Sequence, residues 1–340
     1  MRIAIVGAGA MGSLMAARLS EAQRAASSSA EDSSDLALDR VVLYGRPSAH
    51  LTEVAANGLR LTEFDGETHV VPIETTSNPA DVEGSDIVLV LVKSWATADA
   101  VKPLRPFLTR DAAVLTLQNG LGNAAVLRTS LLDRGVRPHV WLGVTTQAAV
   151  RTAPGEVVHT GRGITAIGRR KSTVNERIQQ LARVMSTASL QAIAVDDIHR
   201  WVWRKLAVNC AINPLTALAG VTNAAIHDDA GLAKAAAQIA QEVVAIARAQ
   251  SITIDMADVT SAIEEVARQT GANRSSMLMD VAQQQRTEID AINGAIVLEG
   301  VRLGIPTPIN DLMTTLIRAR ESTFTPDVVS SFATIESYGE

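Results

Sequence analysis

The chain has 340 residues, a formal charge of −5, 47 % apolar residues and only 3 % aromatic ones. That is length enough for two domains whose cores are built from Ala, Val, Leu and Ile, and its scattered Lys and Arg exclude the electrostatic footprint of a nucleic-acid binder. The single cysteine, Cys210, excludes an internal disulfide and a thiolate zinc cage and fits a reducing, cytoplasmic setting.

The first strand signal is Ile3 to Val6, followed at once by Gly7-Ala8-Gly9-Ala10-Met11-Gly12 and a helical pattern through Leu19. Spaced glycines at a strand-to-helix junction allow a tight turn, close approach of backbone amides to a pyrophosphate, and close packing of helix on strand. The helix N-terminus then faces the anion. Ile3 to Ala17 superficially imitates an export signal, but its three glycines argue against that reading. Ala25 to Asp39, AASSSAEDSSDLALD, is Ser-rich and acidic and reads as a mobile surface insertion, where roughly two to six residues usually suffice.

Val41 to Tyr44, Ile87 to Val92 and Ala113 to Leu117 are further buried-strand signals, alternating with amphipathic stretches at Pro47 to Ala56 and Ala96 to Leu108. This alternation predicts a parallel sheet of Rossmann type. After the second strand stands Tyr44-Gly45-Arg46, with no acid to hold ribose hydroxyls; Arg46 suits a 2′-phosphate and so NADP(H). Lys93-Ser94-Trp95 and Gln118-Asn119-Gly120-Leu121-Gly122 follow later strands at the edge where such sheets bind ligands. Physics alone leaves open whether Lys93 and Asn119 are ligand contacts or a solvated strand end and a turn. Val140 to Ala149 and the pair Glu156 to His159 and Gly163 to Ile167, turned at Thr160 to Arg162, predict strands that close the sheet.

Near Val195 the pattern changes. Leu232 to Ala249, Met256 to Thr270 and Thr287 to Leu303 have helical spacing, which predicts an all-α second domain, with residues 1–195 and 196–340 as the two parts. Leu206 to His227 carries no formal charge, but Asn209, Asn213, Pro214 and Asn223 exclude a membrane span. Lys205, Asn209 and Asn213 recur every four residues, one polar ridge on a helix. Solvated stripes mix acids and bases, whereas this one holds a lone ammonium with amides, so it reads as the wall of a cleft. Asn273, Ser275, Ser276 and Arg286-Thr287-Glu288 form a second polar cluster, whose carboxylate could orient that ammonium.

Together these motifs resemble the ketopantoate reductase family from Met1 to about Glu321. The most specific pieces are Lys93-Ser94-Trp95, Asn119 to Gly122, Trp203 to Thr216, Ser275 to Leu278 and Thr287 to Asp290. The resemblance implies a Rossmann-type NADP-binding domain followed by an all-α catalytic domain, and NADPH-dependent reduction of 2-dehydropantoate to (R)-pantoate on the route to pantothenate and coenzyme A. It implies that Lys205 is the proton donor and a substrate ligand. It implies that Asn209, Asn213 and Asn223 contact substrate, and that Asn273 through Ser276 hold its carboxylate. Lys93, Asn119, Ala149 and Glu288 would be cofactor or active-centre contacts, Asn119 touching both ligands. Ala96 departs from members that place a Gln there, leaving Arg46 with less help. No metal is expected, the partner is a small 2-keto acid, and a homodimer stays open. Alternatives are another short 2-keto acid on the same scaffold, or a cofactor-sensing protein without turnover.

Overall fold

Strand β1 (Arg2–Val6) directs Ile3 and Ile5 into one apolar cluster and Ala4 and Val6 into another, so both of its faces are covered. In the computed structural model, which describes residues 1–28, 38–132, 139–169 and 173–324, this strand is central to a large sheet. Helix α1 (Ala10–Ser28) follows it, then β2 (Arg40–Tyr44), α2 (Ala49–Asn57), β3 (Leu59–Thr62), β4 (Thr68–Val71) and β5 (Glu74–Thr76). Next come β6 (Ile87–Val90), α3 (Thr97–Val101), β7 (Ala113–Thr116), α4 (Asn123–Ser130), β8 (His139–Thr145) and β9 (Ala148–Ala153). β10 (Glu156–Gly161), β11 (Thr165–Gly168), α5 (Glu176–Thr187) and β12 (Ala192–Ala194) complete the α/β part.

Among the described residues the larger sheet runs β12-β11-β8-β7-β6-β1-β2-β5, parallel from β5 to β8, with β11 antiparallel to β8. The order reverses between β1 and β6, which makes the carboxyl ends of those two strands the switch point where ligands of such sheets bind. The fold is Rossmann-like, as the glycine turn and strand alternation predict. A second sheet, β4-β3-β10-β9, was not foreseen.

The remaining helices are α6 (Ile198–Ala219), α7 (Ala225–Asp228), α8 (Ala230–Ala249), α9 (Met256–Gln269), α10 (Ser276–Ala282), α11 (Asn293–Leu303) and α12 (Pro308–Ser322). Their core gathers Leu206, Ala207 and Ala211 of α6 with Ile239, Val243 and Ala247 of α8 in one apolar cluster of small and branched residues. Asp229, Asp255 and Ser275 cap α8, α9 and α10 by accepting backbone N–H bonds, each cap worth about 1 kcal/mol. Among the described residues no helix is long and apolar enough to cross a membrane. The chain divides into two units: Met1–Gln118 with Gly122–Trp201, and Asn119–Leu121 with Val202–Glu340.

Five expectations need correction. Val140 to Ala149 is two strands in different sheets, broken where the Gln147 amide donates to the Gly163 and Leu190 carbonyls. β10 and β11 do not pair with each other; β10 joins β9 and β3, while β11 joins β8 and β12. Ala96 to Leu108 keeps only one short α-helix between 3-10 turns, because Pro103 and Pro106 lack the N–H that a continuous helix requires. Thr287 to Leu303 turns helical only at Asn293, since Thr287 Oγ1 accepts from Ile289 N and the Glu288 carbonyl accepts from both Ala291 and Ile292. Finally, Ala25–Ser28 complete α1, Leu38 is buried and Asp39 pairs with the N-terminal amine, so the ends of the supposed insertion are structured. Its residues 29–37 lie outside the described residues.

Candidate active site

In the first unit the turn after β1 is closed by Gly7 N donating to the Tyr44 carbonyl at 2.9 Å. Gly7 has φ +119°, and a Cβ there would stand 2.8 Å from Val92 N, just past β6. A Cβ on Gly12 would lie 1.9 Å from the Gly7 carbonyl oxygen, so Gly12 is what lets α1 start so close to β1. Over Gly9 nothing lies within 4 Å of an added Cβ, open space in which a pyrophosphate could meet backbone amides. Ala8 packs where Gly45 has no Cβ, 2.9 Å away, so the chain after β2 lies against the glycine turn. Ala10 and Met11 open α1. Arg46 is exposed one residue beyond Gly45, suitably placed for a phosphate beside the ribose. The residues present therefore fit a dinucleotide.

Lys93 follows β6 and heads a 3-10 turn, its carbonyl accepting from Ala96 N at 2.8 Å. Ala149 lies on β9 opposite His159, against the core. The sequence reading passed over Gln118, whose amide donates to the Val92 carbonyl at 2.8 Å and to Thr97 Oγ1 at 2.7 Å. That amide ties the ends of β6 and β7 together, and its place directly after a buried strand was the available signal.

In the second unit Lys205, Asn209 and Asn213 all fall on α6, as their spacing predicts. Lys205 Nζ donates to Asn119 Oδ1 at 2.8 Å, and Asn119 Nδ2 donates to Glu288 Oε2 at 3.1 Å. One amide thus links the ammonium to the buried carboxylate. Burial lowers the Lys205 ammonium to about 8, and the negative charge of Glu288 opposes that fall. Asn119 is held by its neighbours: Leu121 N donates to the Ala291 carbonyl at 2.8 Å, and a Cβ on Gly120 would sit 2.3 Å from that same oxygen. Only glycine lets these two segments meet so closely.

Farther along α6, Asn209 is half-buried and Asn213 buried. Thr216 Oγ1 donates to Ser275 Oγ at 2.8 Å, and Ser275 Oγ also accepts from Leu278 N, so this serine joins α10 to α6 while Ser276 stays exposed. Asn223 N donates to the Asn273 carbonyl at 3.0 Å, and its side chain donates to Thr270 Oγ1 at 2.9 Å. Asn223 Oδ1 is buried without a hydrogen-bond partner. The polar residues expected to line the substrate thus share one unit, with Lys205, Asn119 and Glu288 directly bonded.

A supporting group behind the ridge was missed. Pro214 has no N–H for the Cys210 carbonyl one turn back, and Asn293 Nδ2 supplies that bond at 3.1 Å. Asn293 also donates to Asn310 Oδ1, and the Glu242 carboxylate accepts from Ile309 N and Asn310 N at the start of α12. The signal was present in the sequence: a proline inside an uncharged helix leaves a carbonyl that needs a donor.

A glycine turn at the switch point of a Rossmann-like sheet, with an all-α unit after it, defines a class of nucleotide-dependent enzyme architecture. The model of the family described as ketopantoate reductase PanE/ApbA matches residues 3–172, and that of its C-terminal part matches residues 197–321. The chain is 35% identical to the 2-dehydropantoate 2-reductase of Halobacterium salinarum, covering 94% of this chain and 98% of that protein. The crystal structure of a PanE/ApbA family ketopantoate reductase from Ralstonia eutropha JMP134 is similar with TM-score 0.81 and 33% identity, over 95% of this chain and 99% of that one. A ternary structure of D-mandelate dehydrogenase with NADH and anilino(oxo)acetate is similar with TM-score 0.83 and 26% identity, again over 95% and 99%. The chain belongs to the ketopantoate reductase family, oxidoreductases with this Rossmann-like fold.

Proposed function

We propose that the protein reduces 2-dehydropantoate to (R)-pantoate with NADPH, a step toward pantothenate and coenzyme A. The observation that carries this reading is the bonded set Lys205, Asn119 and Glu288 on the helical unit of a family member. Gly7, Ala8, Gly9, Ala10, Met11 and Gly12 would cradle the pyrophosphate, Arg46 the 2′-phosphate, and Lys93, Asn119, Ala149 and Glu288 further parts of the cofactor or active centre. When bound, the cofactor supplies a hydride to the keto carbon. Lys205 stabilises the negative charge that grows on the keto oxygen and gives that oxygen a proton, a role worth about a hundred- to ten-thousandfold in rate. Glu288 favours the charged form of Lys205, and Asn119 aims the ammonium.

Asn209, Asn213, Asn273, Ser275 and Ser276 would hold the substrate, Ser275 chiefly by fixing α10. Oxidation of NADPH on adding 2-dehydropantoate to the purified protein, with (R)-pantoate as product, tests the reading; no oxidation would refute it. The likeness to D-mandelate dehydrogenase with NADH supports a second reading, reduction of another 2-keto acid with the unphosphorylated cofactor. Comparing NADPH with NADH, and 2-dehydropantoate with phenylglyoxylate, separates the two.

A further inference from the structure

Pro214 leaves α6 without its own donor for the Cys210 carbonyl, in the turn bounded by Asn209 and Asn213. A proline ring also crowds the carbonyl four residues back, so an unassisted helix would be free to bend at this point. The missing bond comes from another helix, through Asn293 Nδ2 at 3.1 Å. Asn293 is the first residue of α11 and is fully buried.

The orientation of this amide is fixed from behind. Asn310 Nδ2 donates to the Ile239 carbonyl at 3.2 Å and to Glu242 Oε2 at 2.7 Å. That turns Asn310 Oδ1 toward Asn293, whose Nδ2 donates to it at 3.0 Å. Both neighbours of Asn293 Nδ2 are oxygens that accept, so the amide cannot turn over without setting oxygen against oxygen. Its own Oδ1 is buried without a hydrogen bond. The side chain is therefore held by its two donated bonds alone.

In front, Asn293 is tied to the candidate site. Ala291 N and Ile292 N both donate to the Glu288 carbonyl at 3.0 Å, and Gly294 N donates to the Ile289 carbonyl at 2.9 Å, so Glu288 and Asn293 share one hydrogen-bonded turn. Leu121 N, two residues from Asn119, donates to the Ala291 carbonyl at 2.8 Å. One buried amide thus joins the helix of Lys205, Asn209 and Asn213 to the segment that carries Glu288 and seats Asn119. Resting on the reductase reading above, we propose that Asn293 is a positioning residue: through the Cys210 carbonyl it fixes the register of the α6 ridge against Glu288 and Asn119, and it touches neither substrate nor cofactor.

The test compares the parent with Asn293→Leu, which removes the N–H groups at similar volume, and repeats that change in a Pro214→Ala background. There the N–H of residue 214 takes the Cys210 carbonyl, so the loss of Asn293 should matter less. NMR titration of the Lys205 side chain reads the register without any substrate. In Asn293→Leu the Lys205 ammonium should move up from about 8 toward the usual lysine range, as water reaches it past a loosened ridge. The kcat/KM for 2-dehydropantoate should fall about ten- to a hundredfold, while NADPH affinity by fluorescence stays within about twofold. Both effects should shrink about threefold or more in the Pro214→Ala background. An unchanged Lys205 titration in folded Asn293→Leu protein, or equal effects in the two backgrounds, would overturn the proposal. If the parent does not oxidise NADPH with 2-dehydropantoate, the reductase reading falls, and the Lys205 titration still decides the positioning role. Where Asn293→Leu does not fold, Asn293→Ser, whose small side chain leaves room for a water on the Cys210 carbonyl, takes the same measurements.

Discussion

Lys205 donates a 2.8 Å hydrogen bond to Asn119, a residue 86 positions earlier in the chain. Because Asn119 spends its other half on Glu288, the amide cannot turn over without losing both bonds, and the ammonium always meets an oxygen. The consequence is kinetic. As the general acid proposed above, Lys205 with a pKa of about 8 would be mostly charged at neutrality, so kcat/KM for keto-acid reduction should fall as pH rises through about 8. Glu288→Gln removes the charge that holds the value up, and the falling limb should move to lower pH. A pH–rate profile of both proteins checks this.

Lys205 also costs stability. In the unfolded chain it holds its proton to about 10.5, whereas in the fold it releases it at about 8, so between these values the unfolded state binds more protons and stability climbs with pH. Below that window the penalty is fully present, on the order of 3 kcal/mol. The melting temperature should therefore rise as pH climbs from about 8 to about 10.5, and Lys205→Met should abolish that rise while lowering turnover about a hundred- to ten-thousandfold. Calorimetry beside single-turnover NADPH oxidation measures both.

Arg46→Ala should raise KM for NADPH far more than for NADH, since one charge-assisted bond is worth about 1.5–3 kcal/mol, roughly ten- to a hundredfold. Equal changes for the two cofactors would mean that the phosphate is read elsewhere.

Gly12→Ala forces a methyl group to within 1.9 Å of the Gly7 carbonyl oxygen, a backbone atom that cannot step aside without opening the turn. Such overpacking costs about 1–3 kcal/mol. NADPH titration by fluorescence should show weakened binding even where circular dichroism finds the protein folded, whereas Gly9→Ala, which meets nothing within 4 Å, should leave the fold intact.

Periodicity made β1, β2, β6, β7 and the long helices legible, because each buries a face large enough to impose its own spacing. It failed for β3 to β5, whose short strands are half exposed and carry little pattern. It failed again at Gly163 and Gln147, where a close backbone approach and one buried amide decide which sheet a strand joins. In the candidate site, the ridge of Lys205, Asn209 and Asn213 could be read from spacing alone. The bond from Lys205 to Asn119 could not, since nothing local in the sequence relates residues so far apart.

Asn119–Leu121 belong with Val202–Glu340, although the chain on either side of them belongs to the other unit. A gene fragment beginning at codon 202 would therefore encode an incomplete body. It would lack the amide that joins Lys205 to Glu288 and the N–H that Leu121 gives to the Ala291 carbonyl. Complementation between separately expressed halves would have to restore a three-residue loan as well as the missing mass, so splitting this enzyme for a two-hybrid or reporter assay calls for a cut other than the one at the unit boundary.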